Sequence, residues 1–488
     1  MAILTKSKYL LGLQCPKLLW TAVNDKEKIP NPDSSAQHKF EQGTLVGVLA
    51  TKWFPEGINL ADEDYKNNLK KTEELLKKRK PLFEASFEID NLFSRADILN
   101  PAEKEQWDII EVKSSTKVKD VNIEDVSFQK YIYEKFGLKI RKCFLMHINN
   151  QYVKKGEIEP KELFVLSDIT EEVEKAIGGI QERINNLFKI INSKKKPEIC
   201  IGKYCKDPYE CGLKNACWEF LPKENVFELY LGGKKSFELY DKGILEIKNI
   251  PREFKLNERQ RIQRECAVCG KPNVIKEKIK SFLDGLNYPL YYLDFETFNP
   301  AVPKYDGMKP YQRIGFQYSL HVVEKPGAKP KHISFLADGM NDPRPKFLQS
   351  LKDNLGKKGD IIVYNESFEK GVFTEHTDAF LEFQDWLSKN IMPRIKDLLI
   401  PFRQFHYYDP KQCGSASIKK VLPVMSDLSY NDMEINNGGD ASIAYENATY
   451  GNVSEKEKKK IRDALEKYCE LDTLAEIKII DRLMEIVK

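Results

Sequence analysis

The feature that most limits how this chain folds is a pair of carboxylates at the end of an apolar run. The run Tyr288–Leu293 predicts a buried strand, which continues into Asp294, Phe295 and Glu296. Because side chains alternate along a strand, Asp294 and Glu296 lie on one face of it. Two carboxylates in a buried strand repel each other and lose their hydration unless cations lie between them. The sequence therefore predicts a metal-binding strand at the centre of an α/β domain.

Three residues downstream extend this group, which we call the C-terminal acid set. The segment from Ile361 predicts a strand running into a helix, where Glu369 presents a third acid. The sequence predicts a final pair of helices that begins at Ser454, with Glu457 completing a capping box. In this region Tyr468 and Asp472 are spaced i, i+4 and share one helix face. The alternative interpretation is an acid-rich strand and a helix whose tyrosine is only part of the core. The predicted catalytic residues of this set are Asp294, Glu296, Glu369, Tyr468 and Asp472, and its four acids are the predicted metal ligands.

The C-terminal acid set resembles the DEDD exonucleases of the RNase H-like superfamily, in the subtype with a tyrosine four residues before the last aspartate. The DFET segment at residues 294–297 and the Tyr468-x3-Asp472 helix match that pattern, whereas Glu369 replaces the usual aspartate of the middle motif. The resemblance implies an RNase H-like domain in which two divalent cations, Mg²⁺ or Mn²⁺, hold the scissile phosphate. It also implies that the tyrosine orients the attacking water and that nucleotides are removed from a 3′ end.

A second constellation, the N-terminal acid set, occupies a predicted hairpin. Asp97 falls on its first strand, and Glu111 and Lys113, two positions apart, share one face of the second strand. Phosphodiester hydrolysis uses carboxylates to hold divalent cations and a lysine to orient or deprotonate a water. The same residues would also suit the solvated face of a hairpin, so their spacing alone leaves both interpretations open.

The N-terminal acid set resembles the RecB-like branch of the PD-(D/E)XK nuclease superfamily, because Gln129 and Tyr133 follow at the Q-x3-Y spacing of that branch. The resemblance implies a restriction-endonuclease-like fold. The histidine that this family often carries in an early helix is missing, and Gly47 lies near its place. The resemblance implies as catalytic residues Asp97, Glu111, Lys113, Gln129 and Tyr133, with Asp97 and Glu111 as metal ligands.

Ten cysteines are unevenly distributed, and a cytoplasmic chain seldom uses such a cluster for disulfides. Cys205, Cys211 and Cys217 are spaced C-x5-C-x5-C, and Cys15 lies in a segment similar to the N-terminal signature of RecB-like nucleases with an iron–sulfur cluster. That resemblance implies a 4Fe–4S cluster held by Cys15, Cys205, Cys211 and Cys217. Four thiolates suit zinc equally well, Cys200 could replace Cys205, and buried reduced thiols are the alternative. Cys266 and Cys269 are interpreted as ordinary thiols or as half of an incomplete metal site.

Length and composition indicate two globular domains. The 488 residues exceed one ordinary core, and 41% hydrophobic residues are enough to form real cores. We predict a nuclease domain at 1–222, a connector or small subdomain at 223–282 and a second domain at 283–488. A net charge of +4 neither indicates nor excludes nucleic acid. No signal peptide or membrane-spanning run is recognised, so the chain is expected to be cytoplasmic.

The order of the two halves resembles a bacterial and archaeal family of predicted RecB-family nucleases over nearly the full length. It implies a metal-dependent nuclease, favoured as a DNA 3′-5′ exonuclease on single-stranded ends in repair or defence, with nucleic acid as partner and no membrane. The open alternatives are an exoribonuclease and a nucleic-acid-binding protein with one or both sites inactive. Two smaller predictions concern Ser417 and Lys419 as phosphate contacts or structural residues, and four aromatic residues as base-stacking or core residues: Phe402, Phe405, Tyr407 and Tyr408.

Overall fold

The computed structural model describes residues 2–488 and divides the chain into two compact units. The N-terminal unit comprises Met1–Phe220 together with Pro300–Tyr311, and the C-terminal unit comprises Leu221–Asn299 and Gln312–Lys488. Both units combine sheets with helices, so the chain is a mixed α/β protein. The predicted connector falls within the C-terminal unit, and the short segment 300–311 belongs to the N-terminal unit.

The N-terminal unit is built on a seven-stranded sheet in the order β2-β3-β4-β5-β6-β7, with β1 parallel to one end of β4. The strands are β1 (Leu4–Thr5), β2 (Ile58–Asn59), β3 (Leu82–Ile89), β4 (Leu92–Pro101), β5 (Gln106–Lys113), β6 (Lys139–Ile148) and β7 (Phe164–Asp168). The helices are α1 (Lys6–Gln14), α2 (Pro16–Asn24), α3 (Ser34–Thr51), α4 (Tyr65–Leu76), α5 (Asp120–Phe136), α6 (Pro160–Leu163), α7 (Thr170–Ile177), α8 (Ile180–Ile191) and α9 (Lys214–Trp218).

The predicted hairpin is present as antiparallel β4 and β5. Their pairing ends at Ile98 and Ile110, so the last residues of β5 pair only with β6, on the other side. Asp97 lies at this point of separation, and its Oδ2 accepts a hydrogen bond of 2.8 Å from the Val112 backbone N–H. The two strands therefore open a space in the sheet where the polar residues of β4 and β5 face each other.

Helix α5 connects β5 to the parallel strand β6 and ends at Gly137, whose φ of +109° lies in the left-handed region that favours glycine. Asp125, Gln129 and Tyr133 recur every four residues along it and are all buried. Helical spacing therefore places them on one face, directed at the sheet. The sequence carries polar groups on a face that would otherwise be apolar, which indicates a site rather than plain core.

The C-terminal unit contains a five-stranded mixed sheet in the order β11-β10-β9-β12-β13, plus the pair β14-β8. The strands are β8 (Asn273–Val274), β9 (Leu290–Phe298), β10 (Ile314–Val323), β11 (Lys331–Leu336), β12 (Asp360–Val363), β13 (Ile395–Asp397) and β14 (Tyr407–Tyr408). The helices are α10 (Lys234–Asp241), α11 (Glu258–Cys269), α12 (Lys276–Asp284), α13 (Arg344–Asn354), α14 (Glu366–Ala379), α15 (Gln384–Trp386), α16 (Ile400–Arg403), α17 (Ile418–Met425), α18 (Gly438–Tyr450) and α19 (Glu455–Val487).

The predicted acidic strand is the central strand β9. It pairs with antiparallel β10 along its whole length but with parallel β12 only over Leu290–Tyr292. Beyond Tyr292, one side of β9 is therefore free of a paired strand, and helix α19 packs over β9 and β10. The acids follow this point directly, which gives them room to face the helix.

Helix α19 is a single helix of 33 residues, whereas the sequence predicted a pair of helices here. Its predicted start is confirmed, because the Ser454 hydroxyl accepts a hydrogen bond of 3.2 Å from the Glu457 backbone N–H. Its apolar positions are buried along most of its length. No glycine or proline interrupts residues 455–487, so no break divides it in two.

The segment 223–282 has its own small apolar core around Val226, Leu239 and Ile247. Its strand β8 pairs with β14, and its helix α12 packs against α19. The aromatic residues considered for base stacking are core residues instead, because their side chains are buried: Phe402, Phe405, Tyr407 and Tyr408. Among residues 2–488, none of the helices combines the length and the apolar character needed to cross a bilayer.

Candidate functional sites

Three members of the C-terminal acid set meet at the open side of β9. Asp294 and Glu296 of β9 and Asp472 of α19 each offer a carboxylate oxygen, and these three oxygens lie within 4.8 Å of one another. Asp294 and Glu296 are opposite Ser319 and Gln317 of β10, so the strand register sets their common face. The arrangement brings one helix and one strand together around a cluster of three acids.

Burial raises the pKa of all three carboxyl groups. The nearby carboxylates of Asp472 and Glu296 raise the pKa of Asp294 further. The Asp472 carboxylate also raises the pKa of Glu296 further. The pKa of Asp472 is raised to about 7 by burial, although the Tyr430 hydroxyl and the Lys419 ammonium group lower it. A divalent cation would replace the lost hydration and cancel the repulsion, and carboxylate oxygens are ligands that Mg²⁺ and Mn²⁺ prefer. These residues therefore fit a divalent cation.

Glu369 lies beside this group but not within it. It is in the first turn of α14, is almost fully buried, and its Oε2 makes no hydrogen bond within the part of the chain that is described. Burial raises its pKa well above the usual value, with a further contribution from Asp397. Its charge in turn raises the pKa of Asp294. An unpaired carboxylate oxygen in this position is available to a cation or to a water bound to one.

Tyr468 lies one helical turn before Asp472, as its spacing predicted. Its ring makes an edge contact with that of Tyr430, with centroids 6.2 Å apart. Burial raises the pKa of the Tyr468 hydroxyl, and the carboxylates of Asp472 and Glu296 raise it further. The hydroxyl group therefore stays protonated at neutral pH and can donate a hydrogen bond.

Tyr430 was not identified from the sequence. Its hydroxyl donates a hydrogen bond of 2.6 Å to Asp472 Oδ1. Tyr430 lies in the irregular segment between α17 and α18, where no periodic pattern marks a side chain that faces a site. Only the folded chain shows that it orients one of the acids.

Lys419, for which the sequence left open a phosphate contact or a structural role, lies close to the acids. Its ammonium nitrogen is 5.6 Å from the ring centroid of Tyr468 and 5.7 Å from that of Tyr430. The pKa of Lys419 is lowered by burial, and the carboxylates of Asp472 and Glu296 offset only part of this effect. Ser417 is the N-cap of α17. A cation next to the acids can balance the charge of an incoming phosphate.

Glu476 is a fifth acid that the sequence interpretation missed, although its signal was present one helical turn after Asp472. It is almost fully buried, and within the described residues neither of its carboxylate oxygens makes a hydrogen bond. Burial raises its pKa well above the usual value, and the charges of Asp294 and Glu369 add to this. A carboxyl group in this environment is neutral unless a cation approaches it.

The N-terminal acid set is organised differently, because lysines neutralise its acids. Glu111 is fully buried, and its Oε1 accepts hydrogen bonds from Lys113 and, at 2.9 Å, from Lys6 of α1. Lys113 also forms an ion pair of 3.0 Å with Asp125. Lys6 and Asp125 were not predicted, since neither belongs to the hairpin motif. The structure therefore places two cations and three acids together: Lys6, Lys113, Asp97, Glu111 and Asp125.

Gln129 and Tyr133 connect to this cluster as their spacing predicted. Gln129 Nε2 donates to Glu111 Oε2 at 2.6 Å and to Asp125 Oδ1 at 3.1 Å. The Tyr133 hydroxyl donates to Gln129 Oε1 at 3.2 Å, and it is 3.3 Å from Ser94 Oγ. Both residues therefore position Glu111 through hydrogen bonds and lie behind it.

The charges in the N-terminal set decide what each group can do. Burial raises the pKa of Asp97 to about 7, with a contribution from Glu111. Burial alone would raise the pKa of Glu111 too, but Lys113 and Lys6 lower it below its usual range. Burial lowers the pKa of Lys113, but Glu111 and Asp125 outweigh this and raise it. Lys113 is therefore a permanent cation that can orient a water or a phosphate, and it is poorly suited to deprotonate one.

A cleft of about 560 Å³ in the N-terminal unit opens onto this cluster. Asp97, Glu111 and Lys113 line it, and so do Gly43 and Gly47 of α3. A Cβ atom built at either glycine would meet no atom within 4 Å. A side chain at position 47, compared above with the histidine of RecB-like nucleases, would therefore have free space in this cleft.

The four cysteines with a predicted cluster role converge in the N-terminal unit. Cys15, Cys205, Cys211 and Cys217 line one small cavity together with Cys200, and none of the cysteines within residues 2–488 is in a disulfide. Burial raises the pKa of Cys15 and of Cys211, and the other thiols of the group contribute. Cysteine sulfurs are typical ligands of zinc and of iron–sulfur clusters, so a group of cysteines around one cavity fits a metal ion or a cluster. Cys266 lies elsewhere, against Phe405 and Tyr408.

Comparisons with known proteins match parts of the chain. Residues 291–417 match the model of a family described as a domain of unknown function, DUF2779. That span contains Asp294, Glu296 and Glu369 and ends before Tyr468 and Asp472. The uncharacterized protein MG366 of Mycoplasma genitalium is 25% identical over 239 residues, which is 44% of this chain and 35% of that protein. The chain thus spans about a third of the length of this curated relative, and neither description states an activity.

Proposed function

We propose that this protein is a metal-dependent nuclease whose C-terminal unit hydrolyses phosphodiester bonds from a 3′ end. The observation that carries the proposal is the convergence of Asp294, Glu296 and Asp472, with one oxygen from each within 4.8 Å of the others. Three acids this close together, two of them buried and one partly buried, are unfavourable unless their charge is balanced, and a divalent cation would balance it. The five-stranded mixed sheet with its acidic central strand is consistent with an RNase H-like fold for this unit.

In this proposal each residue of the C-terminal site has its own role. Asp294, Glu296 and Asp472 hold Mg²⁺ or Mn²⁺, and Glu369 offers its unpaired oxygen to the same ions. When bound, the cations polarise the phosphate and supply an acidified water. The protonated Tyr468 hydroxyl orients that water, because it lies next to the acids and keeps its proton. Lys419 balances the charge of the phosphate, and Tyr430 holds the Asp472 carboxylate in place.

The N-terminal unit is proposed as a second nuclease-like site of the PD-(D/E)XK type. Support comes from the succession of β3, β4, β5, α5 and β6 and from the contacts among Glu111, Lys113 and Gln129. Its acids are already neutralised by Lys6 and Lys113, which makes them weaker ligands for a cation than the C-terminal acids. We expect this unit to bind nucleic acid and to contribute less to hydrolysis. The same ion pairs favour the second candidate function, a nucleic-acid-binding protein in which this site is inactive.

The four convergent cysteines are proposed to hold a 4Fe–4S cluster or a zinc ion. Cys15 precedes α2 while the other three thiols follow α8, so a bound cluster would join the two ends of the N-terminal segment. This role is structural, in line with what metal–thiolate sites contribute to folding. Anaerobically purified protein with broad absorbance near 400 nm is expected for iron–sulfur, and colourless protein with one zinc ion overturns that assignment.

The test of the proposed activity is degradation of end-labelled single-stranded DNA and RNA with Mg²⁺ or Mn²⁺. We would compare the wild type with Asp294→Asn, Lys113→Ala and the double variant, and use Asp385→Asn, an exposed acid of the same unit, as the matched control. Loss of 3′ trimming in Asp294→Asn with normal trimming by the control is the expected result. The preferred sugar distinguishes a DNA exonuclease from an exoribonuclease. Binding without cleavage by the wild type contradicts the nuclease proposal and leaves the nucleic-acid-binding alternative.

A further inference from the structure

Two histidines and a glutamate form a separate cluster on the C-terminal sheet. His321 of β10 and His332 of the edge strand β11 are directly opposite each other in the antiparallel register. Their imidazole rings are stacked, with centroids 4.5 Å apart and an interplanar angle of 27°. Glu470 of α19 completes the cluster. Three atoms lie within 4.8 Å of one another: one ring nitrogen from each histidine and one carboxylate oxygen of Glu470. Three different elements thus bring three ligand groups to one point.

A chain of hydroxyl groups orients both rings. Thr473 Oγ1 donates to the Glu470 carbonyl at 3.2 Å, so it accepts from His321 Nδ1 at 2.8 Å. It is also 2.7 Å from Ser319 Oγ, which is 3.0 Å from His332 Nε2. With Thr473 already donating, Ser319 donates to it and accepts from His332. When both rings are neutral, this pattern places their protons on His321 Nδ1 and His332 Nε2 and leaves His321 Nε2 and His332 Nδ1 for a metal ion. Hydrogen bonds of this kind orient the imidazoles of metal sites.

The Glu470 carboxylate lies next to His332 Nδ1. Glu470 Oε1 is 3.7 Å from His332 Nδ1. The side chains of His332 and Glu470 are 29% and 49% exposed, so an ion can enter from solvent. His321 is buried and is held by Thr473. The cluster therefore has one fixed ligand, two accessible ligands and an open side.

We propose that His321, His332 and Glu470 bind a transition-metal cation of the Zn²⁺ class, at a site distinct from the acid cluster. Two imidazoles and one carboxylate are typical ligands of zinc and related ions, whereas Mg²⁺ prefers sites made only of oxygen. Three protein ligands leave a fourth position for a water. The ion joins the edge strand β11 to α19, the helix that also carries Asp472. The site thus fixes the edge of the sheet against the helix on which the proposed nuclease site depends, and it binds metal whether or not that proposal holds.

The test is Co²⁺ binding by the full-length protein in saturating Mg²⁺, with unfolding temperature as a second measurement. Excess Mg²⁺ occupies oxygen-only sites, and Co²⁺ bound by nitrogen and oxygen lacks the charge-transfer absorption of Co²⁺ bound by cysteine. The variants are His332→Ala and Glu470→Gln, both at partly exposed positions that tolerate change. The matched control is His38→Ala, in the N-terminal unit.

We expect the wild type and the control to bind one equivalent of Co²⁺ without a thiolate band and to unfold at a higher temperature when Co²⁺ or Zn²⁺ is added. Each site variant should bind this equivalent roughly tenfold or more weakly and lose the temperature shift. Its unfolding temperature without metal should remain that of the wild type, which excludes misfolding as the cause. Equal binding by His332→Ala and the wild type overturns the proposal, as does a wild type whose only bound Co²⁺ shows the thiolate band.

Discussion

The two acid sets contain similar residues, but they differ in whether cationic side chains pair with their buried carboxylates. In the C-terminal unit, Asp294, Glu296 and Asp472 face one another. Burial raises the pKa of all three, and repulsion by neighbouring carboxylates adds to this for Asp294 and Glu296. In the N-terminal unit, Lys6 and Lys113 lower the pKa of Glu111. In the first arrangement the proposed metal ion would supply most of the balancing charge, whereas in the second two lysines of the chain supply it. Similar motifs in a sequence therefore do not imply similar demand for metal.

The largest contrast is expected from Glu296→Gln. Removing one of the repelling acids should lower nuclease activity by at least about 100-fold, the effect of removing a group that stabilises transition-state charge. The same change should stabilise the metal-free protein by about 1 kcal/mol, because a buried amide, unlike the glutamate with its raised pKa, does not have to take up a proton on folding. Activity and thermal unfolding in EDTA measure the two effects. A variant that loses both activity and stability would contradict the comparison.

Lys6→Ala should have the opposite effect on stability. It leaves Glu111 and Asp125 with less opposing charge in a buried site, and we expect a loss of about 2 kcal/mol in the free energy of unfolding. Lys39→Ala, which changes another lysine lining the same cleft, is the control and should cost less than about 0.5 kcal/mol. Thermal or urea unfolding with both variants side by side distinguishes the buried ion pair from the loss of any lysine.

Cys211→Ser should remove the bound metal or cluster and lower the unfolding temperature of the N-terminal unit. Four thiols converge there, and metal binding by such sites contributes to folding. Cys269→Ser is the matched control, because Cys269 is exposed and lies outside the group. Metal content and calorimetry check both variants. Wild-type metal content in Cys211→Ser would rule out a role for that thiol as a ligand.

The pH dependence of metal binding follows from the pKa of Asp472, which burial raises from 3.8 to about 7. An acid whose pKa is raised in the folded state binds its proton more tightly there, so the metal-free protein loses stability as pH rises from about 4 to about 7. Protons compete with the cation over the same interval, and Mg²⁺ affinity should rise by up to about tenfold per pH unit below pH 7. Calorimetric titrations at several pH values measure this. Asp472→Asn should flatten the dependence, and an unchanged slope in that variant would assign the proton to another group.

The smallest expected effect is a gain in the N-terminal unit. Gly47→His places an imidazole in the open space of the cleft, and it should increase Mn²⁺ affinity by about tenfold at most, since Lys6 and Lys113 remain. Gly43→His, one helical turn earlier and equally unobstructed, is the control for adding a histidine to α3. Mn²⁺ binding followed by electron paramagnetic resonance measures the difference. Equal affinities in the two variants would show that position 47 is not oriented toward the acids.

Local patterns predicted those parts of the sites that lie within one element or one hairpin. Strand alternation placed Asp294 beside Glu296, and helical spacing placed Gln129 with Tyr133 and Tyr468 with Asp472. The residues that were missed reach the sites from elsewhere in the chain. Lys6 and Tyr430 were missed because their neighbours carry no periodic signal, and contacts between distant segments are set by packing.

For the fold, too, features set by local patterns were predicted, and features set by contacts between distant segments were not. The strands and the start of α19 followed from apolar periodicity and a capping serine, whereas the expected break in α19 is absent. The four aromatic residues between Phe402 and Tyr408 were left open between core and surface, since density of rings in a sequence does not say which side they face. Tyr407 and Tyr408 lie where β14 pairs with β8, a contact across more than a hundred residues, and Phe402 packs in an apolar cluster that includes residues of α12 and α19.

The order of the acids along the chain has a consequence for synthesis. Asp294 contacts Cys469, 175 residues later, and Asp472 follows on the same helix. At about 5–20 residues per second, roughly 10–35 s separate the appearance of the first acids from that of α19. Throughout that interval the growing chain presents Asp294 and Glu296 without their helical partner. The proposed metal site therefore lacks Asp472 until α19 has been synthesised and has docked, and we expect the proposed activity only from that point.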